Sequence, residues 1–137
     1  MNTPSGQAYN RDLYYQKLHK RLSKDGLLDA PVLGRKVTVI IILKTIEELF
    51  NVPSRLVRGP RRYASLSRYR KAACWMAVQW TSHSLTVIGR TMGGRDHSTI
   101  WHASKDVEGS PHLFADIIGP CRAALKASGF DVKETTI

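Results

Sequence analysis

A chain of 137 residues can hold one domain of ordinary size with flanking segments. Its 21 basic against 11 acidic residues give a net charge of +10 and a pI near 10.0, a balance that favours a polyanionic partner, nucleic acid ahead of a membrane surface. The longest aliphatic run, Ile40-Ile41-Ile42-Leu43, is far too short to span a bilayer, and the polar start with Pro4 and Gly6 does not read as a secretory signal. Cys74 and Cys121 fit no metal or redox spacing, and Cys74 lies in an apolar run beside Trp75 and Met76. A buried thiol in a soluble, cytoplasmic, nucleoid-associated protein is the expectation.

In chain order, Arg11 to Lys24 reads as an amphipathic helix with Tyr14, Leu18 and Leu22 repeating on one face. Gly26, Pro31 and Gly34 then break the chain. Thr38 is placed to cap a helix running to Phe50, with Val39, Ile42, Ile46 and Leu49 on one face. Val37 to Leu43 is rich in β-branched residues and also suits a strand. The periodicity continues through Glu47-Glu48-Leu49-Phe50 and favours the helix. A short helical turn around Arg55 to Val57 follows. Gly59 to Tyr69 reads as an irregular basic segment, and a long helix runs from about Arg70 to Trp80.

Ser84 to Met92 and then His97 onward read as two helices joined at Gly93-Gly94. Glycine reaches the left-handed conformation that closes a helix. Asp96 is among the best caps for the next one. His97, Ser98 and Thr99 then fall on a first helical turn, where a recognition helix presents polar groups to base edges. After Gly109-Ser110-Pro111 a last helix spans about His112 to Lys126, with Gly119-Pro120 expected to kink or split it. Three units result: an extension over residues 1–35, a helix-turn-helix domain over 36–108, and a C-terminal helix and tail over 109–137.

The string from His83 to Ala103 reads His-Ser-Leu-x-x-Ile-Gly-Arg-x-x-Gly-Gly-Arg-Asp-His-Ser-Thr-Ile-x-His-Ala. It closely resembles the signature of the C-terminal DNA-binding domain of DnaA-type bacterial replication initiators. The resemblance extends without gaps from about Val37 to Glu108. Thr38, Ile42, Lys44-Thr45 and Asn51-Val52 suit the family's first helix, and Arg61-Arg62 fall in its basic loop. It implies an all-α fold of the Trp-repressor-like, initiator C-terminal type that binds a short A·T-rich duplex element.

From Arg55 to Lys71 the chain carries Arg55, Arg58, Arg61, Arg62, Arg68, Arg70 and Lys71 and no acid. Such a run finds its counter-charge most naturally in a phosphate backbone. The resemblance places Arg62 in the minor groove, where narrow A·T tracts concentrate negative potential. It gives Asp96, His97 and Ser98 as the base-contacting trio, with serine where threonine is commoner. Arg61, Arg68, Arg70, Lys71, Arg95 and Thr99 are assigned to the DNA backbone. Arg70 matches an arginine at the start of the family's long helix, and Lys71 replaces its glutamine. Asp96 also has a purely structural role open to it, as a helix cap. Ser84-Leu85-Thr86-Val87 lacks the Pro-Glu of the family's capping box, and Val87 suits either core or contact surface.

Enzymatic chemistry finds no support. His97 and His102 are five apart, off the four-residue spacing of helical metal ligands, and no Gly-x-x-x-x-Gly-Lys-Ser/Thr loop is present. No metal, cofactor or nucleotide is expected. Trp75, Trp80 and Trp101 read as core or rim residues. Full initiators carry an ATPase domain ahead of this one, for which 137 residues leave no room. The expected function is therefore sequence-specific binding of double-stranded DNA by a regulator of transcription or replication initiation. A protein that grips a partner such as a replication factor is the alternative. Ile40, Ile41 and Leu43 make the Thr38–Phe50 helix apolar nearly all round, which calls for a second cover. The Arg11–Lys24 helix and a second protomer are the two candidates, and a homodimer using both is the expectation.

Overall fold

The computed structural model describes residues 35–60 and 63–133. The predicted Arg11–Lys24 helix, Arg61 and Arg62 lie outside the described residues. Six helices and two very short strands follow in order: β1 (Arg35–Lys36), α1 (Val39–Phe50), α2 (Ser54–Arg58), α3 (Ala64–Trp80), α4 (Leu85–Thr91), α5 (His97–Gly109), α6 (Ala115–Ala127) and β2 (Phe130–Asp131). A single 3-10 turn, Pro111–Leu113, leads into α6. The all-α expectation holds. The added β1–β2 pair is parallel, joining Arg35 to Phe130 and Lys36 to Asp131.

Thr38 caps α1 from extended backbone, its side chain accepting from the Ile41 N–H at 3.3 Å. Residues 39–43 are therefore helical despite their β-branched character, because the cap and the continuing periodicity outweigh a modest propensity. The helix α3 begins at Ala64, well before the expected Arg70. Tertiary contacts extend it. Leu66 is buried, Tyr69 packs against Phe50 with ring centroids 5.5 Å apart, and Arg68 reaches the Leu113 carbonyl and the Asp116 carboxylate.

One hydrophobic core runs from Val37 to Val132 and takes in side chains from α1, α3, α4, α5 and α6. Within the C-terminal segment, Phe114, Ile117, Ile118, Cys121, Leu125 and Phe130 are buried in the same core. The helix α6 packs on α1, in which Ile41, Ile42 and Leu43 are all buried. Part of the cover over α1 thus comes from the same chain's C-terminal helix, a contact that the patterning of α1 did not name. Pro120 sits inside α6 without dividing it. Arg35 is buried beside this packing and donates from Nη1 to the Ser128 carbonyl at 2.9 Å, tying the strand pair to the end of α6.

Cys74 and Cys121 are both buried free thiols. Burial pushes the Cys74 pKa up to about 12 and raises that of Cys121 as well, so both stay protonated and serve as small apolar residues. Among the described residues no helix is long and apolar enough to cross a membrane, and no group of three or more His, Cys, Asp or Glu side chains is placed to hold a metal ion.

Candidate nucleic-acid interface

The helix pair α4–α5 is closed by a turn with almost no free space. Ser84 caps α4, its hydroxyl accepting from the Val87 N–H at 3.2 Å without the reciprocal carboxylate of a capping box. Val87 itself is half-buried. The Gly89 carbonyl then accepts from both Gly94 N–H (3.0 Å) and Arg95 N–H (2.8 Å). A Cβ on Gly89 would lie 2.1 Å from the Arg95 carbonyl oxygen. Gly93 has φ +85°, and a Cβ there would lie 2.1 Å from the Arg58 carbonyl oxygen. Glycine at both places is a requirement of close approach, at Gly93 also of backbone conformation.

Two arginines lock this turn to the rest of the fold. Arg95 donates from Nη1 to the Arg58 and Met92 carbonyls and from Nη2 to the Gly59 carbonyl at 2.7 Å. Arg70 donates through Nε to Val57 O at 2.7 Å, and through Nη2 to Leu56 O and Gly59 O at 3.2 and 3.0 Å. Both guanidiniums thus converge on the last carbonyls of α2, groups that a helix end leaves without internal partners. Arg70 and Arg95, which the sequence assigns to the DNA backbone, here place these guanidinium donors on main-chain oxygens. Spacing could not show this, since an exposed and a clamped arginine look alike in sequence.

The expected base-contacting trio does come together. Asp96 caps α5 from extended backbone, its Oδ2 accepting from the Ser98 N–H at 3.1 Å and from the Ser98 hydroxyl. The Ser98 hydroxyl and backbone N–H hold the Asp96 carboxyl below its ordinary pKa, with His97 adding a smaller electrostatic share. A depressed carboxyl keeps its capping contribution above the unfolded pKa and loses it as pH falls through the lower folded value. His97 Nδ1 lies 3.5 Å from Asp96 Oδ1. Asp96, His97, Ser98 and Thr99 are all exposed, while Ile100 directly behind them is fully buried. One side of this turn is fixed by the core and the other is presented to solvent.

Two of the remaining cations form exposed pairs. Arg68 meets Asp116 at 2.6 Å and Lys71 meets Asp106 at 3.1 Å, each with a side chain more than a third exposed. Such pairs contribute little to stability and exchange readily for other anions.

The Arg70 clamp gives a direct expectation. Arg70→Ala removes the side-chain donor from the Val57 carbonyl, while Leu56 O keeps the Gly59 N–H and Gly59 O keeps Arg95, and is expected to cost on the order of 2 kcal/mol in urea unfolding. An unchanged unfolding midpoint would show the clamp to be energetically idle.

A short first helix, a tight glycine turn and a second helix whose capped first turn is polar and exposed define a helix-turn-helix protein of the DNA-binding class. Residues 39–107, just over half the chain, match the family model described as the bacterial dnaA protein helix-turn-helix. The chain belongs to that family. It is similar to the chromosomal replication initiator protein DnaA of Wolbachia sp. subsp. Brugia malayi, 40% identical over 95 residues that cover 67% of this chain and 21% of the relative. The protein of the same name from Ruegeria pomeroyi is 36% identical over 94 residues, covering 68% and 20%. That from Burkholderia multivorans is 34% identical over 106 residues, covering 73% and 20%. The chain thus spans about a fifth of the length of these relatives.

Proposed function

We propose that this protein binds double-stranded DNA at specific sites and regulates transcription or replication initiation, without ATPase activity of its own and in the nucleoid of the cytoplasm. One observation carries the reading. The first turn of α5 exposes Asp96, His97, Ser98 and Thr99 while the turn before it is locked by Gly89, Gly93, Arg95 and Arg70. A preorganised polar turn at a helix N-terminus is what major-groove readout requires.

The chemistry of that turn favours bases that offer donors. The Ser98 hydroxyl proton is committed to Asp96, so the oxygen is left to accept. Asp96 Oδ1 accepts as well, and in the major groove only the amino groups of cytosine and adenine donate. Arg61, Arg68, Lys71 and Thr99 supply the backbone contacts in this reading, and Arg62 enters the adjacent minor groove. Arg70 and Arg95 act chiefly by holding the turn.

Selection from a random duplex library, followed by titration of the enriched sequence at several salt concentrations, tests the proposal. Enrichment of one element is expected, with affinity falling by orders of magnitude from low to moderate salt if ~6–8 phosphates are neutralised. His97→Ala and Ser98→Ala are each expected to cost ~1–3 kcal/mol on the best site and to relax base preference. Equal affinity for all duplexes at physiological salt would refute specific binding.

A further inference from the structure

Beyond its first turn, α5 carries a feature that the trio does not use. Ile100, Ser104 and Val107 are buried and mark the inward face. At about 100° per residue Ser98, His102 and Lys105 lie opposite this face, and Trp101 lies on the flank beside them, about 90° round from the buried stripe. Trp101 is 46% exposed, in contrast to Trp75 and Trp80, which are both buried. Its indole is braced on two sides. The Lys105 ammonium stands 5.3 Å from the ring centroid, and the His102 ring meets it nearly edge-on with centroids 5.2 Å apart.

Trp101 lies three residues beyond Ser98 and four beyond His97, one helical turn along the same face. At 1.5 Å per residue that is about 5 Å along the helix, or one to two base-pair steps. Bases in a duplex present only their edges, so an indole in the groove has no face to stack on. The apolar group at the major-groove edge is the thymine 5-methyl. Lys105 is close enough to the ring to follow it toward the DNA. Its present partner, the Glu108 carboxylate at 3.0 Å, forms an exposed pair of little net strength that a phosphate can replace.

We propose that Trp101 is a specificity-determining contact whose indole packs on a thymine 5-methyl one to two base pairs beyond those met by His97 and Ser98, with Lys105 on the neighbouring phosphate. The inference rests on the DNA-binding reading given above, and its test separates the two. The full chain is titrated with the duplex enriched from the random library. The same duplex is then used with each thymine replaced in turn by deoxyuridine, which removes only the methyl.

One thymine beyond the His97 and Ser98 positions is expected to lose about fourfold in affinity on replacement, the worth of one buried methyl. Trp101→Ala is expected to bind the parent duplex more weakly and to show no penalty at that thymine, while other positions respond as in the wild type. Trp101→Phe, which keeps an apolar ring, should recover part of the effect and guards against a folding defect in the alanine variant. A deoxyuridine profile identical in wild type and Trp101→Ala, with both still selecting the duplex, overturns the Trp101 assignment and leaves DNA binding standing. Failure of the wild type to enrich any duplex overturns both. A Trp101→Ala variant that binds the parent duplex as tightly as the wild type would show that the exposed indole faces something other than DNA, a protein partner being the first candidate.

Discussion

Removing residues 111–137 is expected to leave a chain that neither folds nor stays in solution. The segment carries Phe114, Ile117, Ile118, Leu125 and Phe130 into the core, each with 5% exposure or less. Burying side chains of this size contributes ~1.5–3 kcal/mol each, on the order of 10 kcal/mol together. That is comparable to the whole net stability of a small domain, ~5–15 kcal/mol. The truncation would also uncover the part of α1 that packs on α6, and exposed apolar surface of this kind drives association. Circular dichroism and size-exclusion chromatography check this. A soluble, helical monomer after truncation would mean that α6 is an ornament on a core complete without it. The milder Ile118→Ala should fold and lose ~2–5 kcal/mol, since Ile118 is completely buried.

Gly89→Ala is expected to damage stability and DNA recognition together. The new methyl would stand 2.1 Å from the Arg95 carbonyl oxygen, a main-chain atom that cannot swing aside like the end of a side chain. The turn must move, and with it the two hydrogen bonds that Gly89 O accepts from Gly94 and Arg95. A loss of about 3 kcal/mol or more is expected in denaturant unfolding. Specific DNA affinity should fall more than tenfold under conditions where the variant remains folded, because the start of α5 is displaced from its locked position. Gly94→Ala is the control. Gly94 has φ +82° but nothing within 4 Å of its would-be Cβ. It should lose only the backbone preference, ~1–2 kcal/mol. Equal effects at the two glycines would show that conformation, not close approach, governs the turn.

The sequence by itself determined the parts of this protein that depend on local chemistry. Thr38, Ser84 and Asp96 cap the helices that follow them, Gly93 takes positive φ, and His97, Ser98 and Thr99 emerge on one exposed turn. Each outcome follows from a few neighbouring residues and their backbone preferences, so spacing alone reveals it. The helix-turn-helix was legible for the same reason.

Tertiary structure decided what depends on residues distant in the chain. Helix α6, about seventy residues further on, packs against α1, and hydrophobic patterning shows that a face needs burying without naming its partner. The early start of α3 was set by Phe50, Leu113 and Asp116, which reward helix in a stretch whose composition reads as a loop. The clearest case is Arg70 and Arg95. In sequence they are two more cations in a basic protein. In space both donate to the Gly59 carbonyl, because helix ends leave their last carbonyls unpaired and a planar guanidinium with several donors can satisfy more than one at once.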